Sequence, residues 1–162
     1  MQAPATAPLA AALPAKLGRH VADLGAGWGY LSARVLEDAG VETLDLVEAD
    51  HTALDCARRN IADPRARFHW ADALGWQPEG RIDTVVMNPP FHSGRAAAPE
   101  LGRGFVRAAA RVLAPSGQLW MVANRHLAYE TTLKECFAEF REAGGDNRFK
   151  ILQAQRPTRP RG

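Results

Sequence analysis

The sequence predicts an α/β domain, a parallel sheet with helices on both faces. Three observations predict it. Short apolar strands stop abruptly in polar or glycine-rich turns, as His20-Val21-Ala22-Asp23-Leu24 does before Gly25-Ala26-Gly27-Trp28-Gly29. Between those strands, apolar residues recur at helical spacing. The length of 162 residues, 46% of them hydrophobic, suits one domain with a sizeable core. In open α/β sheets ligands bind outside the carboxyl ends of the strands, so polar residues at strand ends are the candidate site.

Residues 1–17 begin with an Ala/Pro-rich, almost uncharged stretch and read as a mobile leader, with a short helix near Leu9 to Leu13. After the first strand, Leu31, Val35, Leu36 and Ala39 predict a helix from about Tyr30 to Asp38, closed by Gly40. Thr43 to Glu48 is a second strand. Asp50 can cap the next helix, whose Ala53, Leu54, Ala57 and Ile61 share a face. Arg67 to Trp70 and Ile82 to Met87 are further strands, and His92 to Ala98 reads as a small flexible loop. Leu101, Phe105, Ala108 and Val112 mark another helix, Pro115-Ser116-Gly117 a turn, and Gln118 to Val122 a strand. Leu133, Phe137 and Phe140 align on an amphipathic helix from about Tyr129 to Glu142. A last strand follows from Phe149 to Gln155, then a basic tail, residues 156–162, broken by prolines.

Composition excludes several classes. No run approaches the roughly twenty apolar residues of a membrane span, and the start is a poor secretion signal, so the chain is expected in the cytoplasm with no membrane partner. Cys56 and Cys136 lack metal spacing and read as small core residues. The histidines are scattered, so no metal site is expected, and His69 reads as a structural histidine on a strand. A net charge of +2 permits a nucleic-acid partner.

Four strand ends carry the chemistry. Gly25, Gly27 and Gly29 alternate after Asp23, a spacing unlike the Gly-x-Gly-x-x-Gly of dinucleotide binders. An acid before the loop repels phosphate and suits an amino-bearing ligand such as S-adenosylmethionine. Glu48, with Ala49 beside it, ends the second strand, where an ionised carboxylate can accept both hydroxyls of a ribose; Asp50 is the rival, assigned to the helix cap. Asp72 can accept from an adenine amino group while Ala73 offers its N–H, although Asp is also common in turns. The fourth strand delivers Asn88-Pro89-Pro90-Phe91-His92. Two prolines forbid helix or central strand there, so the tip is a shaped loop of fixed acceptors beside an aromatic face.

By Asp23-Leu24-Gly25-Ala26-Gly27-Trp28-Gly29, Glu48, Asp72 and Asn88-Pro89-Pro90-Phe91-His92 in this order, the chain resembles class I S-adenosylmethionine-dependent methyltransferases. Within them it is similar, over residues 18–155, to the ribosomal RNA guanine-N2 enzymes of the small subunit, the methyltransferase small domain family. The resemblance implies a three-layer Rossmann-like methyltransferase fold with an antiparallel C-terminal strand, and a ribosomal RNA or ribosomal subunit as partner. It places Asp23, Gly25, Gly27 and Gly29 around the methionine moiety of the cofactor, Glu48 at the ribose, and Asp72 with Ala73 at the adenine, and it counts Ala26, Ala49 and Asn88 among the cofactor-binding residues as well. Asn88, Pro89, Pro90 and Phe91 are then the catalytic residues, with Phe91 stacking on the base and His92 touching substrate. Glutamine-N5 or adenine-N6 methylation, and a non-catalytic scaffold that binds cofactor or RNA, are the competing readings. Family members carry a degenerate companion domain and an aromatic-Ser…Asp-x-Gly-Ser/Thr segment upstream. Residues 1–19 contain neither, which leaves three readings open: a fragment missing its N-terminal companion domain, a standalone catalytic domain, or a module that needs a partner.

Overall fold

A computed structural model of the chain describes residues 6–90, 92–93, 96–97 and 99–158. The parallel strands are short because each is a run of branched or long apolar residues stopped by a turn: β1 (His20–Leu24), β2 (Thr43–Glu48), β3 (Ala66–Trp70) and β4 (Ile82–Met87). Later come β7 (Leu113–Asn124), β8 (Phe137–Gly145) and β9 (Phe149–Pro157). These seven form one sheet in the order β3-β2-β1-β4-β7-β9-β8. The first five positions are parallel, and β9 runs antiparallel to both β7 and β8. Strand order turns back at β1, which lies between β2 and β4, so the switch point at which open α/β sheets bind ligands lies at their carboxyl ends.

Side chains alternate across the strands and fill two cores. On one face Leu9 of α1 (Thr6–Ala12), Val35 of α2 (Tyr30–Val35) and Ile61 beyond α3 (His51–Asn60) meet Val21, Leu44, Val86 and Trp120. On the other, Phe105 and Ala109 of α4 (Pro99–Val112) and Leu133 of α5 (Glu130–Cys136) meet Leu24, Val85, Met87 and Leu119. The three layers are those of a Rossmann-like methyltransferase. None of the described helices is long and apolar enough to cross a membrane. Cys56 and Cys136 are free thiols of intermediate burial; Cys136 packs against the core beneath α4 and α5.

Several expectations are corrected. Residues 6–17 are not a mobile leader: Leu9, Leu13 and Leu17 are buried, and α1 packs against α2 and the strands of the antiparallel half. Burying each such leucine contributes about 1.5–3 kcal/mol, enough to order an Ala-rich segment. The helix expected to Glu142 stops at Cys136, and β8 follows. Its helical spacing of Phe137 and Phe140 loses to the unpaired edge of β9, which β8 satisfies from Phe137↔Pro157 to Gly145↔Lys150. Pro115-Ser116-Gly117 lies inside β7 as an irregularity, between Ile82↔Leu113 and Thr84↔Gln118. In the expected loop, β5 (His92–Ser93) pairs antiparallel with β6 (Ala96–Ala97). The basic tail begins later than Arg156, since β9 reaches Pro157 and the Thr158 N–H donates to the Cys136 carbonyl at 2.7 Å. Residues 1–5 and 159–162 lie outside the described residues.

Candidate active site

The loop after β1 is built on its neighbour strand. The N–H groups of Gly25 and Ala26 both donate to the Val47 carbonyl, at 2.8 and 3.0 Å, which turns the chain sharply across the end of β2. The Gly27 N–H then donates to Glu48 Oε1 at 2.8 Å, and Glu48 Oε2 accepts from the Asp50 N–H at 2.8 Å. Glu48 therefore joins the glycine loop to the start of α3. An ionised carboxylate has about four acceptor positions, so after two backbone bonds it can still accept two hydroxyls.

The glycines serve different ends. Gly27 has φ +57°, and a Cβ there would meet nothing within 4 Å, so its backbone faces open space. Gly29, at φ +92°, would drive a Cβ to 2.7 Å from Ile61 Cδ1, so its smallness lets the start of α2 pack on the end of α3.

Asp23 is buried at the floor of the loop, 1% exposed. Ser32 Oγ donates to its Oδ2 at 2.8 Å, while Oδ1 is buried with no partner among the described residues. Burial pushes its carboxyl up to about 7; the Ser32 bond opposes that rise and the charge of Glu48 adds to it. A buried carboxylate with one empty oxygen is the arrangement a cationic ligand completes.

Just past the end of β3, Asp72 Oδ1 accepts the Leu74 N–H at 2.9 Å and its carbonyl accepts from Gly75 and Trp76, so these bonds are those of a turn. Ala73 beside it is buried. Asn88 follows β4, and its Oδ1 is the second buried rim acceptor without a partner among the described residues. Pro89 is buried and Pro90 half-buried. The expected stacking residue Phe91 lies outside the described residues, and His92 is placed by its backbone pairing with Ala97. The structure thus brings Asp23, Gly25, Ala26, Gly27, Glu48 and Ala49 to one rim with Asn88 on the adjoining strand.

Two site features escaped the sequence reading. Ser32 lies on α2, and only the fold brings its hydroxyl to Asp23. Trp70 is 65% exposed on the rim, held by its Nε1–H to the Ala49 carbonyl at 2.9 Å and edge-on to His51 at 4.9 Å. Alternation on β3 signalled an outward Trp70, but nothing local tied it to Ala49. His69 is structural as expected, its Nε2 lying 2.7 Å from Asp45 Oδ1.

A seven-stranded sheet in this order, with a glycine loop, strand-end acids and an Asn-Pro-Pro tip on one rim, defines a Rossmann-like methyltransferase domain. The chain belongs to the methyltransferase small domain family, whose model matches residues 3–153. It is 37% identical over 140 residues to the ribosomal RNA large subunit methyltransferase G of Streptomyces coelicolor, covering 84% of this chain and 37% of that protein. The protein of the same name from Aeromonas salmonicida is 37% identical over 149 residues, covering 88% of this chain and 39% of its own length. The chain thus spans little more than a third of these curated relatives. Among solved structures, the T. thermophilus 16S rRNA N2 methyltransferase RsmC, in complex with AdoMet and guanosine, superposes with a TM-score of 0.80 at 31% identity. That match covers 96% of this chain and 44% of that one.

Proposed function

We propose that this chain is the catalytic domain of an S-adenosylmethionine-dependent methyltransferase acting on the exocyclic N2 of guanine in ribosomal RNA. The observation that carries it is Asn88. Its Oδ1 is a buried acceptor without a partner among the described residues, set by two prolines at the end of β4 beside the glycine loop of β1. An acceptor in that state suits an N–H donor brought in by a planar substrate, and the names of the relatives and of the solved neighbour support RNA as its source.

The rim fits the cofactor, which carries an ammonium group, a ribose and an adenine but no phosphate. Asp23 Oδ1 offers an anion to the ammonium, the Gly27 backbone leaves room beside it, and Glu48 retains acceptors for the ribose hydroxyls. Asp72 Oδ2 and the Ala73 N–H suit the edge of the adenine. When bound, the cofactor supplies an electrophilic methyl group on its sulfonium. Asn88 Oδ1 and the Pro89 carbonyl accept the hydrogen bonds of the target amino group and hold its plane, while Phe91 stacks on the base. Asn88 does not ionise, so it positions the nitrogen and takes no proton; alignment of this kind can contribute roughly 7–11 kcal/mol to the barrier. Residues 18–155, extended by α1, form the catalytic unit.

The test is transfer of labelled methyl to both ribosomal subunits and their naked RNA, with nucleosides identified by mass. N2-methylguanosine is expected, and Asn88→Ala should lower turnover about a hundredfold while cofactor binding in calorimetry stays unchanged. Methyladenosine, or methylated glutamine in a protein, would replace the substrate. Equal turnover by the Asn88 variant would take Asn88 out of the catalytic role, and cofactor binding without methyl transfer to any of these substrates would leave a scaffold that binds cofactor or RNA.

A further inference from the structure

A second concave feature opens on the same carboxyl rim. β7 ends at Asn124, and the β8–β9 hairpin lies directly beside it, the Arg125 N–H donating to the Arg148 carbonyl at 2.9 Å; over this seam Asn124, Arg125, His126, Asn147, Arg148 and Phe149 line an open cavity of about 340 Å³. Arg125 is the wall of this cleft: its Nη1 and Nη2 each donate to Glu142 at 3.1 Å, and its Nε donates to the Asp146 carbonyl at 2.6 Å. Asp146 turns its carboxylate onto its own hairpin, where Oδ1 accepts the N–H groups of Arg148 and Phe149 at 2.8 and 2.9 Å. Lys150, the next cation along, is tied to Glu130 at 2.9 and 3.0 Å. Arg148 is held differently. Its guanidinium lies 5.3 Å from the Phe149 ring centroid, it is exposed, and it forms no ion pair among the described residues.

The mouth of the cleft thus offers one guanidinium seated on an aromatic ring, two carboxamides and an imidazole. A guanidinium suits a phosphate, and planar amide and imidazole groups suit the edge of a base. Its position gives this chemistry a purpose. Met87 pairs with Met121, Asn88 follows Met87, and Asn124 lies three residues beyond Met121. With strands about 4.8 Å apart and a rise of about 3.3 Å per residue, Asn124, two residues past the level of Asn88, puts the start of the cleft about 8 Å from Asn88, within reach of a neighbouring nucleotide.

We propose that the cleft between the end of β7 and the β8–β9 hairpin binds the nucleotide adjacent to the target in single-stranded RNA, with Arg148 on its phosphate. It rests on the RNA methyltransferase reading for the placement of the target base, and it is tested by binding rather than by turnover. Anisotropy of a labelled single-stranded RNA of roughly twelve nucleotides with a central guanine is followed over a salt series. Arg148→Ala should weaken binding severalfold and reduce the slope of log K against log salt by about 0.7, the loss of one phosphate contact. Asn147→Asp, which puts a negative charge at the same mouth, should weaken binding as well, and the melting temperatures of both variants should match the parent. Arg81→Ala removes the same charge at the opposite edge, just before β4, and should change neither affinity nor slope.

Equal losses from Arg148→Ala and Arg81→Ala would mean a general charge effect and overturn the cleft, as would a parent chain that binds no RNA. Binding that depends on Arg148 without any methyl transfer would keep the cleft and sink the catalytic reading. Methyl transfer with an unchanged KM in Arg148→Ala would do the reverse.

Discussion

Two aspartates are buried on neighbouring strands, and the fold answers only one of them fully. Asp45 on β2, 3% exposed, has His69 Nε2 at 2.7 Å and Arg67 Nε at 3.2 Å, both on Oδ1. Asp23 on β1, 1% exposed, has Ser32 on Oδ2 and nothing on Oδ1 among the described residues. Register pairs Ala22 with Asp45 and Asp23 with Leu46, so the two carboxylates leave opposite faces of the sheet. Leaving a buried polar group unmade costs about 1–3 kcal/mol. Asp45 ties two strands together at the β3 edge, whereas Asp23 keeps that cost in the protein alone until a ligand removes it.

The largest effect should come from removing the charge of Asp23. Asp23→Asn keeps the shape and the Ser32 bond but offers the cofactor no anion. Losing a charged hydrogen bond of about 1.5–3 kcal/mol predicts an affinity for S-adenosylmethionine lower by roughly ten- to hundredfold in calorimetry. Above pH 7 the same variant should melt higher than the parent, because it buries no ionised group. An unchanged affinity would place Asp23 with Asp45 as a structural acid.

Next is the pH dependence of the parent itself. Burial raises the Asp23 carboxyl to about 7, so between about pH 4 and 7 the folded chain holds a proton that the unfolded chain has released. Stability from this group is therefore fully present below about pH 4 and is lost as pH rises towards 7. The loss approaches about 1.4 kcal/mol per pH unit at most. Urea melts at pH 5 and pH 7 should show the parent losing about 2 kcal/mol more than Asp23→Asn over that interval. Saturating cofactor should flatten the slope, since an ammonium at Oδ1 favours the ionised form.

A smaller effect is expected at Asp45. Asp45→Ala strands His69 and Arg67, yet those side chains are 33% and 44% exposed and can turn to water. The cost should be about 1–2 kcal/mol in urea melts, with cofactor affinity unchanged. A loss of affinity there would erase the distinction between the two acids.

The parallel half of the sheet was legible because each strand and its turn are written in consecutive residues. Asp23, Glu48 and Asn88 could be read as strand ends from the apolar runs before them and the Gly or Pro after them. The antiparallel half was not. Leu133, Phe137 and Phe140 keep a helical spacing, and what makes Phe137–Gly145 a strand is the edge of β9, supplied by residues up to twenty positions later. The leader was misread from its Ala and Pro content: Leu9 lies on α1, while Leu13 and Leu17 are buried beyond its end at Ala12, against a core that only the finished sheet supplies. Ser32, Trp70 and the Arg148 cleft escaped for the same reason as β8. Each depends on segments joined only by the finished sheet.

Glu48 and Asp50 repeat the comparison at closer range and with the smallest effects. Both accept backbone N–H groups at the start of α3, but to different ends. Asp50 Oδ1 accepts from Thr52 and Ala53 at 2.9 and 3.3 Å, the bonds of a helix N-cap. Glu48 accepts from Gly27 and from Asp50 itself, which ties the glycine loop to the helix. Asp50→Ala should cost about 1 kcal/mol of stability and leave the cofactor affinity alone, as the loss of a cap does. Glu48→Ala should weaken the cofactor several-fold while melting close to the parent, because Gly27 and Asp50 lie where water can replace the carboxylate. Calorimetry and melting of both variants give four numbers, and an exchanged pattern would move the ribose site from the strand end to the helix cap.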